Sequence, residues 1–564
     1  MGNIIRSNQS GKKIENNGGK IVDHSTRKGF NANQSEEQPK NLVLGMNYKM
    51  SEPASEEYPD LGEQLTDGKY GISNYQDNAW QGYKKGATRS IMFDLGSGKS
   101  ISQIKVNFLE QGAVGIHIPT AVLFYASNDK HQWSMITDIN MENPWVNRPS
   151  SKVWEFAWDH QADGIPGHPD SKYIYARYIQ VRFRPDIWAF IDEVEVWGHD
   201  GKLGQAIALT PDDITEPIYL APGEESTNIN NLALLYNGWY ANGSGDWTKE
   251  NLIPYISYVD PDGNPKEWMF DGVLYLGLKV LGGRRDFHSS ASSAIVQDWE
   301  WYLDKTFAKS GDMAQLNAAV EEVSEKLKDP EHKLKTVLMI PYPSYTVDDF
   351  GKIEGGGNAY CFNHEQAGEQ QAFQDRKDAV KWYVGEALKN WDKTNYVHLE
   401  LDGFYWVSET VEYNIPYEEE LIQYAGNLVH EKEIKFYWIP FFNANKINRW
   451  RQLGFDAAYL QPNYFFGGSE ESRVKEAALL AKEYGMGMEL EFDERMNWGK
   501  DFKRKYADYL NGGIKYGYAG KNCVKAYYQG CTSLLDASWS DDPEIRRNYE
   551  MIYEFLKGTY EIHE

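Results

Sequence analysis

Two stretches of this 564-residue sequence place acidic residues at spacings that can do chemistry. The first reads Val397-His398-Leu399-Glu400-Leu401-Asp402-Gly403-Phe404-Tyr405-Trp406-Val407-Ser408-Glu409. Extended backbone would put Glu400 and Asp402 on one face; Gly403 reads as the strand's end, and Glu409 falls in the loop beyond it. The second reads Met488-Glu489-Leu490-Glu491-Phe492-Asp493-Glu494, with Glu489, Glu491 and Asp493 on one face. Acids inside a buried strand are costly unless paired, hydrogen-bonded or functional. Two carboxyls across a cleft are the apparatus of glycoside hydrolysis. One stays protonated and gives its proton to the leaving oxygen; the other, ionised, attacks the anomeric carbon or activates water. A structural reading stands beside this one, in which His398, Glu400 and Asp402 form a satisfied polar network.

The elements that must position these acids alternate between strand and helix. Apolar runs at 231–240, 271–278, 335–343, 396–406, 434–443, 457–466, 485–493 and 524–530 read as strands. Segments such as 293–308, 312–328, 376–391, 419–432 and 471–485 read as helices between them. About eight such alternations predict a (β/α)8 TIM barrel over 229–564, with its chemistry at the C-terminal strand ends. No Gly-rich phosphate loop follows the first strand, and Gly355-Gly356-Gly357 reads as a plain loop.

The expected strand ends are aromatic and amide-rich: Tyr236, Asn237 and Trp239; Tyr342 and Tyr345; Phe442 and Asn443; Gln461, Asn463 and Tyr464. These suit a ligand with many hydroxyls and two faces, not a phosphate, which favours Arg, Lys and backbone N–H groups. Tyr236, Trp239, Asn443, Gln461 and Tyr464 are therefore the expected substrate contacts. Trp406 and Trp498 join them as platforms, with core packing as the other reading. His288, His364 and His398 form no H-E-x-x-H pair, and Ser344 and Ser408 sit in no G-x-S-x-G elbow. Arg284 and Tyr275 leave a polysaccharide lyase open.

The N-terminal part differs in texture. Residues 1–40 are polar and read as a disordered leader. Residues 41–200 read as short strands with turn signals, an antiparallel β-sandwich. Residues 201–228, rich in Pro, Gly, Asp and Glu, read as a linker.

Several motifs carry resemblances. Leu65-Thr66-Asp67-Gly68, Trp80, Ile91-Met92-Phe93-Asp94-Leu95-Gly96, Tyr125-Ala126-Ser127-Asn128-Asp129, Trp133, Ala176-Arg177-Tyr178-Ile179-Gln180-Val181 and Glu193-Val194-Glu195-Val196-Trp197-Gly198 occur in that order. This region resembles the discoidin or coagulation-factor type C domain, a galactose-binding-like jelly roll shared by many carbohydrate-binding modules. The resemblance implies a loop-end ligand site and a structural calcium, with Asp67 and Glu193 as side-chain ligands. Read from the residues alone, Asp67 can equally just make the turn before Gly68, and Trp188 is either a sugar platform or a buried anchor.

In the barrel region, acids on the fourth and seventh strands resemble the large barrel clan of retaining glycosidases. That resemblance implies Glu409 as acid/base and Glu491 as nucleophile. The clan usually has Asn directly before its acid, and Ser408 stands there, so Asp402 remains an alternative acid and Glu489 or Asp493 an alternative nucleophile. The runs LDGFYWVSE, LLYNGWY…DWTKENLIPYI and MELEFDE also resemble a bacterial barrel family classed as a domain of unknown function and grouped with polysaccharide-degrading systems.

Composition sets the outer bounds. The 83 acidic and 58 basic residues give a net charge of −25, which argues against nucleic acid and anionic membrane surfaces as partners. Aromatics reach 14%, as sugar-binding surfaces require. Cys361, Cys523 and Cys531 make no disulfide framework or zinc spacing. No run of 18 apolar residues predicts membrane insertion, and no apolar segment follows Met1 as in a signal peptide. The expectation is a secreted or surface-displayed glycoside hydrolase acting on a polysaccharide or oligosaccharide without a catalytic cofactor. The competing class is a non-catalytic carbohydrate-binding protein.

Overall fold

The computed structural model describes residues 3–6, 38–86, 88–141, 151–211, 217–288, 291–353, 358–413, 415–466 and 469–562. The chain forms two compact units, Met1–Thr215 and Glu216–Glu564.

The first unit is rich in antiparallel sheet. The long strand Arg89–Glu110 pairs antiparallel with Lys152–Asp159, Tyr173–Phe183 and Trp188–Asp200. Ala121–Ser127 lies between Tyr173–Phe183 and Ser134–Asn140. Alternating apolar side chains, among them Ile91, Phe93, Phe108, Phe124, Val181 and Ile191, meet in one core, as period-2 geometry requires. Of the expected leader, residues 7–37 lie outside the described residues, while Asn3–Arg6 runs parallel to Trp154–Ala157.

The expected linker is packed at both ends. Ala206–Ile207 pairs with Tyr173–Ile174, and residues 212–216 lie outside the description. Beyond them Tyr219 and Leu220 are buried in the barrel unit. Leu220 N–H donates to Met486 O at 3.1 Å, and Leu220 O accepts from Val524 N–H at 2.9 Å. Two apolar residues in a Pro- and acid-rich stretch thus cover the starts of neighbouring barrel strands, which composition alone conceals.

The second unit is a closed barrel of eight parallel strands: β1 (Asn231–Tyr236), β2 (Gly272–Leu276), β3 (Leu334–Ile340), β4 (Leu399–Trp406), β5 (Lys435–Trp438), β6 (Ala457–Leu460), β7 (Gly487–Glu491) and β8 (Lys525–Tyr528). Pairing of β1 with β8 closes it. β1, β2 and β7 are buried along their whole length, the signature of strands covered on both faces. Helices follow the strands, for example Glu418–His430 after β4 and Lys500–Tyr516 after β7. The closing helix Pro543–Lys557 shows why they form where they do. Asp542 caps it by accepting from Glu544 N–H at 2.9 Å, Pro543 opens it, and Gly558 ends it at φ +72°. Between β5 and β6 the described residues form only the single 3-10 turn Ile447–Arg449, a departure from strict alternation.

Strand β4 corrects one expectation. Its register with β3 shifts between Thr336–Leu401 and Val337–Gly403, a bulge that leaves Asp402 out of the pairing. The bulge breaks the period-2 count: Glu400 is exposed and Asp402 buried. Gly403 does not end the strand. A Cβ there would lie 2.0 Å from Lys435 O, so only glycine admits the close approach of β5.

Candidate active site

The C-terminal end of the barrel gathers three carboxyls. Glu489 and Glu491 project from β7, and Glu409 from the loop after β4. Backbone bonds fix that loop: Trp438 Nε1 donates to Ser408 O at 2.8 Å, Phe441 N–H to Glu409 O at 3.3 Å, and Asn445 N–H to Thr410 Oγ1 at 3.1 Å. Ser408 itself is buried and its hydroxyl donates to Thr410 O at 2.9 Å, within its own turn.

Glu491 is held by the loop after β6. Asn463 donates its backbone N–H to Glu491 Oε2 at 2.6 Å and its amide to Oε1 at 3.4 Å, and Tyr509 OH donates to Oε2 at 2.9 Å. Asn463 does this from the left-handed region at φ +51°, which asparagine tolerates better than most residues. Its amide also donates to Gln461 Oε1 at 3.1 Å, its Oδ1 accepts from Phe442 N–H at 2.8 Å, and Gln461 Nε2 donates to Ile439 O at 2.8 Å. The Gln461 side chain also acts on Glu409, opposing the rise that burial causes. The Gln461–Asn463 amide pair thus reaches from Glu491 toward Glu409.

Burial raises all three carboxyls, and hydrogen bonding distinguishes them. Glu409 keeps a face open to solvent while protein crowds its carboxyl. Desolvation raises it to about 7, and the Gln461 bond only partly opposes this. Glu491 is also raised to about 7 by desolvation, with the Tyr509 and Asn463 bonds pulling it down and the charge on Glu409 pushing it up. Glu489 is driven well above the carboxylate range by burial, then by Glu491 and Glu409. Hydrogen bonds to an ionised carboxylate favour that form. Three donors favour the ionised form of Glu491, and Glu409 has less to favour its own.

Aromatic rings rim the cleft. The Tyr236 and Tyr528 hydroxyls are hydrogen-bonded and their rings meet edge-on at 5.5 Å. Tyr240 lies 5.5 Å from Tyr236, and Phe466, 46% exposed, 5.5 Å from Tyr528. Tyr528 stands opposite Glu491 in the β7–β8 register and feels the charges of Glu489 and Glu409. Trp498, on the loop after β7, is 71% exposed. Trp239 is half-buried over Gly283, and Asn443 is half-buried after β5.

Several expected site residues are elsewhere or otherwise engaged. Asp402 accepts from Tyr437 OH, feels the charges of Lys335 and Lys435 at the strand starts, and is raised mainly by desolvation. It lies toward the N-terminal end, roughly 13 Å below the top of β4 at 3.3 Å per residue, and cannot substitute for Glu409. Asp493 caps the turn Glu494–Asn497 and pairs with Arg495 at 2.7 Å. Trp406 is fully buried between Tyr342 and Phe436, so it packs the barrel wall. Tyr464 is fully buried, its hydroxyl donating to Asp508 at 2.7 Å. Tyr342 belongs to a buried cluster with Glu418 and Arg376. Tyr275 is buried with its hydroxyl on Asp312 O at 3.1 Å, which removes it as a lyase base. Tyr509 and Tyr528 enter the site unforeseen. Alternation along β8 could have found Tyr528; nothing local marks Tyr509.

The model of a domain of unknown function, DUF4855, matches residues 231–554. The chain belongs to the DUF4855 family. The DUF4855 match spans the whole barrel, β1 through most of the closing helix. None of the curated proteins compared with the chain matches it. Among solved structures, chitosan-binding module 1 of a chitosanase/glucanase from Paenibacillus sp. IK-5 aligns at 16% identity over 28% of this chain and 99% of that one, TM-score 0.20. CpGH89CBM32-6 from Clostridium perfringens aligns at 19% identity over 28% and 99%, TM-score 0.19. A Ruminococcus gnavus GH29 fucosidase in complex with fucose aligns at 15% identity over 28% of this chain and 27% of that one, TM-score 0.20.

In the first unit, Glu193 is buried and accepts from Gly68 N–H at 3.2 Å on both oxygens, while Asp192 accepts from Gly71 N–H at 2.7 Å. Desolvation pushes Asp192 up to about 7 and Glu193 up to about 8, with Asp67, Asp192 and Glu195 adding to the latter. Asp67 pairs with Lys69 at 2.8 Å. No group of three His, Cys, Asp or Glu side chains among the described residues is arranged to hold a metal by itself. Asp192 Oδ1, buried without a hydrogen-bond partner, fits a cation whose remaining ligands would be backbone carbonyls or water. Among the described residues no helix is long and apolar enough to cross a membrane.

Proposed function

We propose that the barrel is a glycoside hydrolase. The observation that carries this reading is the contrast between two cleft carboxyls, Glu491 held by three hydrogen-bond donors and Glu409 raised by burial with only the Gln461 side chain opposing it. Glu491, ionised, attacks the anomeric carbon and forms a glycosyl-enzyme ester. Glu409, protonated, gives its proton to the departing glycosidic oxygen, then takes one from the water that hydrolyses the ester. This retaining course follows the likeness of the β4 and β7 acids to the retaining clan. The aromatic rim and Trp498 offer flat faces for pyranose rings.

The first unit is read as a galactose-binding-like jelly roll that holds the glycan, with a calcium ion at Asp67 and Glu193. A polysaccharide substrate places the protein outside the cell, secreted or on the surface.

The test is reducing-end release from plant, glycosaminoglycan and bacterial polysaccharides by wild type, Glu409→Gln and Glu491→Gln. Release by wild type alone supports the assignment. Equal release by Glu491→Gln removes that residue from the chemistry. Binding without release favours the carbohydrate-binding alternative.

A further inference from the structure

We propose that the cleft takes a glycan bearing free amines and that Glu489 holds a substrate ammonium. The inference rests on the glycosidase reading of the same cleft and names its substrate class.

The mechanism uses two carboxyls, and the cleft has three. Glu489 is 2% exposed yet takes part in no hydrogen bond with any described residue. Its nearest ionisable company is Glu491 and Glu409. Its partner in the β7–β8 register is Ala526, whose methyl group offers it no hydrogen bond. Its carboxyl oxygens are not fully enclosed and no described residue donates to them, so the carboxyl is available to a donor on a ligand in the cleft.

The charge of that donor follows from what surrounds the acids. Among the described residues, no Lys, Arg or His is one of the groups acting on Glu409 or Glu489. Arg495, on the loop after β7, is held by Asp493 at 2.7–2.9 Å. A sugar hydroxyl would give Glu489 one hydrogen bond and leave its crowded carboxyl protonated. An ammonium gives three hydrogen bonds and cancels a charge. A uronate or sulfate would add repulsion. The net charge of −25 also draws a polycation toward the protein.

The experiment uses the full chain on glucosamine and galactosamine polymers, each fully deacetylated and re-N-acetylated, with polygalacturonate beside them. Deacetylated polymers should release reducing ends at least about tenfold faster than their N-acetylated twins, and E489Q should raise their KM about tenfold with a smaller effect on kcat. Equal rates, or faster cleavage of the N-acetylated or uronate polymers, overturn the amine inference and leave the hydrolase reading standing. If nothing is cleaved, the hydrolase reading fails, and calorimetry with the deacetylated polymers decides the inference alone. Binding weakened about tenfold by E489Q upholds it; no binding, or binding indifferent to E489Q, overturns it. Thermal melting checks folding. Should E489Q melt early, Glu489→Asp serves instead, keeping the charge and the preference.

Discussion

Asn463 gives both its backbone N–H and its side-chain amide to the carboxylate of Glu491, at 2.6 and 3.4 Å. One residue in left-handed conformation thereby binds the anion twice and passes the second amide hydrogen to Gln461. Asn463→Gly keeps the backbone freedom and deletes only the amide. It should lower kcat/KM roughly tenfold, the worth of one hydrogen bond to a charged group. The Glu491 carboxyl should also rise, moving the acid limb of the pH profile upward. Asn463→Ala should fold less stably than Asn463→Gly by about 1 kcal/mol, the cost of a Cβ in the left-handed region. An unshifted acid limb in Asn463→Gly would detach the amide from Glu491.

The pH dependence follows from the two acids. In the proposed mechanism Glu491 is ionised, so activity should fall as pH drops through its value of about 7. Glu409 is protonated in it, so activity should fall as pH rises through about 7. Initial rates should trace a narrow bell centred near neutrality. Glu409→Gln should abolish the alkaline fall and lower the rate by about 10²–10⁴, least for substrates with good leaving groups. An alkaline limb that survives in Glu409→Gln would assign it to another group.

Much of this was legible in the residues. Strand β7 was readable because Glu489 and Glu491 interrupt an apolar run at period 2, and Glu409 because it follows the polar end of β4. The parallel barrel was readable because strands covered on both faces need continuous apolar runs. Asp402 was misplaced because a bulge adds one residue to β4, and a bulge leaves no local mark beyond Gly403. Trp406 was ambiguous because it sits one residue before the mouth, where alternation alone decides between wall and cleft. Tyr509 was invisible, since it lies on the amphipathic helix Lys500–Tyr516 and only tertiary packing brings it to Glu491.

The scaffold beneath the site contains a buried ion pair that predicts a large stability effect. Arg376 and Glu418, 2% and 3% exposed in their side chains, meet at 2.8 Å. Arg376 Nε also donates to Pro343 O at 2.7 Å, and Tyr342 OH to Glu418 at 2.8 Å. The cluster ties the loop after β3 to the helices Glu369–Thr394 and Glu418–His430. Arg376→Ala strands a buried carboxylate and should cost about 3–5 kcal/mol. Arg376→Met with Glu418→Gln removes both charges and should recover most of that loss. Denaturant unfolding of both variants measures it; a double variant as unstable as the single one would mean the packing, not the charge, matters.

The first unit offers an independent test through its acidic cluster. Asp192 and Glu193 are buried together beside Asp67, and Asp192 Oδ1 has no hydrogen-bond partner. A divalent cation bound only by the folded form stabilises it by about 2.7 kcal/mol at a hundred times its Kd. Calcium should therefore raise the melting temperature of the full chain's first-unit transition, and a chelator should return it. Glu193→Gln should abolish the response, because it removes the carboxylate anchored on Gly68. Magnesium should serve less well, since it demands near-octahedral geometry and gives up its water reluctantly. Identical melting in calcium and in chelator would dismiss the cation and leave the cluster as protonated acids held by the amides of Gly68 and Gly71.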